Sequence, residues 1–191
     1  MELKDRNYIL LDTETTGFSS TKHQVLQIGM LVINNLEVVD RLSLHIKHDN
    51  YNISPQAMKV NGIDILKHDE IATDKAVAVD MIIDFLRGNK QNEEDKGFIV
   101  IGQNVQFDLG FLENLFASCN KQKEYRELIS SRHLDIMQLA LFKNLEGAIS
   151  LESQSLDSII ESTGITYEAK RHSAIGDCII EFEVFKKLLS L

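Results

Sequence analysis

The residues best able to do chemistry in this chain are carboxylates, and the first pair stands where an apolar run stops. Tyr8-Ile9-Leu10-Leu11 leads directly into Asp12-Thr13-Glu14-Thr15-Thr16-Gly17-Phe18. Bulky uncharged residues ending at turn chemistry read as a buried strand whose last residues emerge at the edge of a sheet. Side chains alternate along a strand, so Asp12 and Glu14 project from one face, about 7 Å apart by the ordinary rise per residue. Two such carboxylates repel and resist joint ionisation unless a cation lies between them. Burying Ile9 to Leu11 draws Asp12 toward the core, which favours a metal or acid/base site over a solvated strand end. A phosphoaspartate phosphatase starts in a similar way, with its first aspartate as nucleophile. Its second acid is normally Asp, however, and it needs a later lysine.

Two further groups of reactive side chains follow. Phe98 to Ile101 reads as a central strand, and Gly102-Gln103-Asn104-Val105-Gln106-Phe107-Asp108 carries it into a helix bearing Phe111 or Leu112, Leu115, Phe116 and Cys119 on one stripe. Strand, polar turn and helix are the grammar of a parallel crossover. Asp108 then lies at the carboxyl end of a strand, where open α/β sheets build their sites, although a helix dipole would favour an aspartate there for stability alone. Near the end stands Lys170-Arg171-His172-Ser173-Ala174-Ile175-Gly176-Asp177. Five residues of helix turn through about 500°, so His172 and Asp177 cannot share a helical face. His172 is therefore expected in the loop before the last helix, as a mobile imidazole beside a fixed carboxylate. Taken singly it reads as a surface histidine.

The elements that must position these groups are legible in outline. Val25 to Ile33 and Val38 to Ile46 are rich in β-branched residues and flank Asn34-Asn35, a pair suited to a tight hairpin, so with the first strand they form an antiparallel meander. Ser54-Pro55 opens a short helix that ends near Asn61-Gly62. Thr73 or Asp74 caps a longer one, with Val79, Ile82, Ile83 and Leu86 on one face, stopping at Gly88. Gly88 to Gly97 holds no apolar residue and reads as an exposed, mobile loop. His133-Leu134-Asp135 is expected as a short edge strand leading into a helix through Phe142. Ser155 caps a helix from Leu156 to Ser162, ended by Thr163-Gly164. The last helix carries Ile175, Cys178, Ile179, Phe182, Phe185 and Leu189 along one face, which places Asp177 off that stripe, at a rim.

Composition narrows the function classes. A chain of 191 residues fits one domain with an ordinary core, and no apolar run reaches membrane-spanning length. The N-terminal Met1 to Asn7 is charged and resembles no signal peptide, so a cytoplasmic location is the expectation. Cys119 and Cys178 are too few for a thiolate metal site and read as buried free thiols. A formal charge of −9 argues against gripping long nucleic acid by non-specific phosphate contacts, so a polyanion would be held locally, at an end.

Together, Asp12-x-Glu14 at a first-strand end, Asn104-x-x-Phe107-Asp108 at a strand-to-helix junction and His172-x4-Asp177 opening the last helix span almost the whole chain. This order resembles the DEDD 3′-5′ exonucleases, in the DnaQ-like branch with a catalytic histidine that includes the proofreading epsilon subunit of bacterial replicative polymerase and RNase T. The resemblance implies an RNase H-like α/β fold over a single exonuclease domain, 1–191, with a mixed five-stranded sheet of three antiparallel and then parallel strands flanked by helices. It implies that Asp12, Glu14, Asp108 and Asp177 hold two Mg²⁺ or Mn²⁺ ions, with His172 as general base. Oxygen donors suit hard cations, and the lack of a Cys or His cluster disfavours zinc. Two ions can activate a water and stabilise the leaving 3′ oxygen, and neutral imidazole can take the water's proton at physiological pH, releasing a nucleoside 5′-monophosphate.

The same resemblance gives Thr15 and Thr16 to the terminal sugar and phosphate and Phe18 to an apolar wedge against the last bases, while Phe107 is core support for Asp108. Lys170 and Arg171 would help neutralise the substrate phosphate, although adjacent basic residues are usually just solvated. The implied partners are single-stranded 3′ ends of DNA or RNA, with a polymerase or a second copy of the chain as the protein partner the family allows. The chain departs from the family where Gln103 replaces a common His, Gln27 a common Glu, and Asn61 the His of many proofreaders. None of these is a metal ligand or the base. The alternatives are an RNA-trimming exoribonuclease of the RNase T kind and, from another class, an inactive module that binds nucleic-acid ends.

Overall fold

The computed structural model describes residues 6–91, 94, 97–169 and 171–191. The charged N-terminus before Arg6, part of the polar Gly88 to Gly97 segment, and Lys170 lie outside the described residues. The strands are β1 (Tyr8–Thr15), β2 (Val25–Asn34), β3 (Glu37–Lys47), β4 (Thr73–Asp74), β5 (Phe98–Gly102) and β6 (Ile129–Asp135). The helices are α1 (Pro55–Asn61), α2 (Ile65–Ile71), α3 (Lys75–Gly88), α4 (Gln106–Ser118), α5 (Gln122–Leu128), α6 (Ile136–Leu145), α7 (Leu156–Thr163) and α8 (Ala174–Ser190). The sheet runs β4-β3-β2-β1-β5-β6. β1, β2 and β3 pair antiparallel, and β5 and β6 add parallel to β1.

This is the expected RNase H-like arrangement with six strands in place of five. The extra one is the two-residue β4, pairing with Ile46 and Lys47 just before Asp74 caps α3 through the Ala76 N–H. The hairpin turn sits one residue later than expected. Asn35 and Leu36 carry the positive φ angles, at 49° and 60°, instead of Asn34-Asn35. α2 and α5 are additions that the apolar spacing did not signal, and β6 begins four residues before His133. Cys178 is buried as expected, but Cys119 lies just past the end of α4 and is half-buried.

β1 is the spine because its apolar run is buried on both faces. Ile9 and Leu11 enter a core with α3, α4 and α5, while Leu10 enters the opposite core with α6, α7 and α8. Burying each such side chain contributes about 1.5–3 kcal/mol. The alternation that sorts them continues into the reactive residues. Asp12 and Glu14 share the parity of Leu10 and face α8, whereas Thr13 faces α4.

α8 is brought onto this face at very short range. Gly29 lies opposite Asp12 in the β1–β2 ladder, and a Cβ on it would come within 2.5 Å of the Ala174 carbonyl group. Only glycine admits the first turn of α8 so close to β2, and that turn contains Asp177. The buried face of α8 differs from the expected stripe. Cys178, Phe182 and Phe185 are on it, but Ile175 and Ile179 are half-buried and Leu189 is exposed. Ile180, Val184 and Leu188 are buried in their place, because α8 packs against α6 and α7 as well as against β1 and β2. Asp177 is accordingly 8% exposed and not a rim residue.

Candidate active site

The C-terminal end of β1, the start of α4 and the start of α8 meet in one cleft. One carboxylate oxygen from each of Asp12, Glu14 and Asp177 lies within 4.8 Å of the others. Asp108 is 3% exposed and stands on the other side of β1, outside this trio. There its Oδ1 accepts from the Thr13 N–H at 2.9 Å and from the Thr13 hydroxyl at 2.7 Å. The residue between the two β1 acids thus fixes a third acid. Of the four expected ligands three lie together, while Asp108 stands outside that trio with its Oδ1 held by Thr13.

A fifth carboxylate, which the motif reading missed, completes the group. Glu181 is 3% exposed, and its Oε2 accepts from the Gln103 N–H at 3.2 Å. It lies one helical turn beyond Asp177, on the same side of α8. An acid in the apolar run Cys178-Ile179-Ile180-Glu181-Phe182 was the available signal, because a buried charge needs a partner.

Electrostatics in the cleft run in one direction. Burial raises Asp12 well above the usual aspartate range, and the charges of Glu181, Asp108, Glu14 and Asp177 add to it. Glu14 is pushed up to about 7 by burial and by Asp177, against the opposing pull of Arg171 and of a hydrogen bond from Asn61. Asp108 also reaches about 7, burial outweighing its two bonds from Thr13. For Asp108 that displacement from an ordinary 3.8 corresponds to roughly 4 kcal/mol against ionisation. Asp177 and Glu181 are raised by burial as well.

Against these acids the described residues set one arginine. Arg171 Nη1 lies 3.2 Å from Asp177 Oδ1, and its Nη2 lies 3.0 Å from Asp157 Oδ1. Arg171 is therefore more than a solvated charge, although one guanidinium cannot neutralise the group. Asp177 Oδ1 is buried and, despite the nearby guanidinium, has no well-aligned hydrogen-bond donor. A dense set of hard oxygens with such an orphaned atom fits a divalent cation better than any side chain present.

His172 lies in the loop before α8, as expected, with its side chain exposed and its backbone in the left-handed region at φ 58°. Its N–H donates to Asp177 Oδ2 at 2.9 Å, so the imidazole is hinged directly onto a cleft carboxylate. Phe18 is 58% exposed, three residues beyond the end of β1. Thr15 and Thr16 are buried and, as placed, serve the loop that carries it. The Thr15 hydroxyl donates to the Gly17 carbonyl at 2.7 Å, and the Thr16 hydroxyl accepts from the Gln24 N–H at 2.9 Å. Phe107 packs on Phe111 at 4.8 Å between ring centres, as core support for Asp108.

The three departures from the family pattern each brace the cleft. Gln103 ties the β5 turn to Glu181 by its N–H and to the Gln154 carbonyl by its side chain at 2.8 Å. Gln27 Oε1 accepts from the Ala174 N–H at 3.3 Å, at the start of α8. Asn61 donates to the Thr15 carbonyl at 3.0 Å and so pins the end of β1 to α1.

Comparison with known proteins agrees with this geometry. Residues 9–185 match the family model RNase_T, described as exonuclease. The chain is 27% identical over 188 residues to the 3′-5′ exonuclease DinG of Staphylococcus aureus, covering 95% of this chain and 19% of DinG. It is 25% identical over 187 residues to the PolC-type DNA polymerase III of Caldanaerobacter subterraneus, covering 95% of this chain and 11% of the polymerase. The chain thus spans a fifth or less of the length of these relatives. Among solved structures, E. coli Exonuclease I in complex with a dT13 oligonucleotide superposes with a TM-score of 0.78 at 17% identity, covering 97% of this chain and 41% of that one.

Proposed function

We propose, since the chain belongs to the exonuclease family and to its DnaQ-like histidine branch, that it is a metal-dependent 3′-5′ exonuclease acting on single-stranded ends. The product would be a nucleoside 5′-monophosphate. The observation that carries this reading is the approach of Asp12, Glu14 and Asp177 to within 4.8 Å of one another. We read residues 1–191 as one exonuclease domain. Asp12, Glu14 and Asp177 would hold two Mg²⁺ or Mn²⁺ ions, with Asp108 completing the set. Bound there, the ions would supply activation of the attacking water and stabilisation of the leaving 3′ oxygen.

The remaining steps belong to the chain's own groups. His172 would take the proton of the attacking water, its exposed imidazole swinging about a backbone hinge that Asp177 holds. Arg171 would turn from Asp177 toward the scissile phosphate once the cleft is neutralised. Phe18 would pack against the terminal base from the loop that Thr15 and Thr16 brace.

DNA is the favoured substrate, because the similar DinG is a 3′-5′ exonuclease, PolC is a DNA polymerase, and Exonuclease I holds dT13. The second reading is an RNA-trimming exoribonuclease, since the ribose 2′-hydroxyl is read by local geometry. A polymerase or a second copy remains the protein partner in view, and the cytoplasm the proposed location. No helix among the described residues is long and apolar enough to cross a membrane. The test offers DNA and RNA oligonucleotides of equal length and a generic phosphomonoester, with Mn²⁺ or with chelator. Metal-dependent shortening from the 3′ end, faster on DNA, is expected. Binding without cleavage would indicate an inactive end-binding module, and phosphate release alone a phosphatase.

A further inference from the structure

One arginine faces the cleft acids among the described residues, and it fits them poorly. Arg171 stands in the loop just before α8, and its guanidinium is shared between two helices. Nη2 lies 3.0 Å from Oδ1 of Asp157, in the first turn of α7, and Nη1 lies 3.2 Å from Oδ1 of Asp177, in the first turn of α8. The two contacts are unlike. The Asp157 side chain is 79% exposed and that of Asp177 11%. On the Asp177 side both atoms are buried, and neither has a well-aligned hydrogen bond, although they face each other at ion-pair distance. A guanidinium N–H is directional, so a pair this close without alignment gains Coulomb attraction but lacks the hydrogen bond that normally offsets desolvation.

A divalent ion carries twice the charge and is bound by the oxygens themselves, with no N–H to align. Asp177 belongs to the trio of acids within 4.8 Å of one another, so the guanidinium and an ion would draw on the same carboxylate. The charge of Arg171 is felt at Glu14 as well as at Asp177. Asp157 is in neither the trio nor the wider set of buried acids.

We propose that Arg171 is a resident counter-ion standing in for a divalent ion in the free protein, and that Asp157 is the positioning residue that receives it. Once Asp177 is committed to an ion, Nη1 lets go while Nη2 stays on Asp157, which keeps the guanidinium at the edge of the cleft. The freed Nη1 can then meet a phosphate oxygen. The His172 N–H donates to the other oxygen of Asp177, Oδ2, so the exchange leaves that hydrogen bond its own acceptor. Coupling of this kind is reciprocal: an ion that must displace Arg171 binds more weakly for it, and Asp157, by competing for the guanidinium, favours the ion. The proposal rests on the reading that these acids bind divalent ions.

The test uses the whole chain with Arg171→Gln, Asp157→Asn, the two combined, and Glu161→Gln as a control. Glu161 is exposed one turn after Asp157 on α7, and Arg171 pairs with Asp157 and Asp177 instead. Mn²⁺ affinity is measured by calorimetry at pH 8, and melting temperature in chelator. Arg171→Gln should bind Mn²⁺ about tenfold more tightly, within the usual range of coupling between sites, yet melt a few degrees lower without metal. Asp157→Asn, which leaves the guanidinium to Asp177 alone, should bind Mn²⁺ about threefold more weakly, the scale of an exposed ion pair. Glu161→Gln should leave the affinity unchanged, and Asp157→Asn should add nothing once Arg171 is replaced. Equal losses from Asp157→Asn and Glu161→Gln, or a loss that persists without Arg171, would overturn the proposal. So would an Arg171→Gln variant that binds Mn²⁺ no more tightly than wild type. If Arg171→Gln melts too low to titrate, the comparison of Asp157→Asn with Glu161→Gln decides by itself. Failure of the wild-type chain to bind Mn²⁺ would instead defeat the metal reading.

Discussion

Asp49 on the rim of this molecule and the carboxylates in its cleft are shifted in opposite directions. Asp49 accepts a hydrogen bond from Lys75 at 2.8 Å, and that bond and charge hold it below the usual aspartate range. Asp80 forms an ion pair with Lys121 at 2.9 Å. In the cleft, Asp12, Glu14, Asp108, Asp177 and Glu181 all shift upward, with burial the largest cause in each. The difference lies in the supply of cations. On the rim the chain provides them from its own lysines, whereas in the cleft the described residues provide Arg171 alone. A buried anionic group left this far from neutral costs stability in the free protein and becomes an asset when a divalent ion arrives.

The contrast breaks most sharply at Asp12. Asp12→Asn is expected to lower cleavage by about a thousandfold or more, because it removes the carboxylate at the centre of the group. Its melting temperature in chelator at pH 8 should hold or rise, since the replaced group is one whose ionisation the fold disfavours. A variant that cleaves at near wild-type rate, or that melts well below it, would show Asp12 to be an ordinary paired acid. His172→Ala should cost about a hundredfold or more in kcat. Calorimetric Mn²⁺ affinity should stay near wild type, because only the His172 backbone contacts Asp177. Equal losses of metal and rate would make His172 a ligand.

Why the cleft could be read from the sequence while parts of its frame could not follows from the same physics. Asp12 and Glu14 were legible because strand alternation is local and a buried apolar run needs no partner to be recognised. His172 was placed correctly because helical geometry excludes it from the face of Asp177. The depth of Asp177 was not legible, since it depends on α8 being covered from two sides and on Gly29 letting that helix approach. Glu181 escaped because it lies outside any motif, and its importance appears only when Gln103 and Asp12 are folded around it. α2, α5 and the two-residue β4 are short elements fixed by tertiary contacts, which periodicity does not carry.

Smaller effects sharpen the contrast. Glu14 and Asp108 have folded pKa values of about 7, above those of an unfolded chain. Between roughly pH 4 and 7 the folded state therefore binds more protons, so this contribution to stability is present at low pH and lost as pH rises through about 7. The metal-free protein should lose melting temperature between pH 5.5 and 8.5. Mn²⁺ held at a hundred times its pH 8 dissociation constant should restore about 2.7 kcal/mol at pH 8, or roughly 5–10 °C, with the gain shrinking toward pH 5.5 as protonation weakens binding. Glu181→Gln removes one of the repelling charges while keeping the acceptor for the Gln103 N–H. It should flatten the metal-free pH dependence and raise the melting temperature at pH 8 by a few degrees. A fall at pH 8 would mean that Glu181 is already compensated.

The least effect is expected at the rim, and it tests whether supply of cations is the right distinction. In the Asp49–Lys75 pair the Asp49 side chain is 76% exposed, so solvent screens the attraction and holding both side chains costs entropy. Asp49 is drawn below its ordinary value, so its contribution is present at neutral pH and lost as pH falls through that lowered value, the reverse of the cleft acids. Asp49→Asn should therefore leave the pH 8 melting temperature, the Mn²⁺ affinity and the rate within measurement error. Its signature should be confined to a slightly altered acid limb of the stability curve. If Asp49→Asn instead weakened Mn²⁺ binding, acids with their own lysine would also be drawing on the metal. Pairing with an internal cation would then no longer separate the two sets, and the number of carboxylates in the chain, rather than their burial, would govern its response to divalent ions.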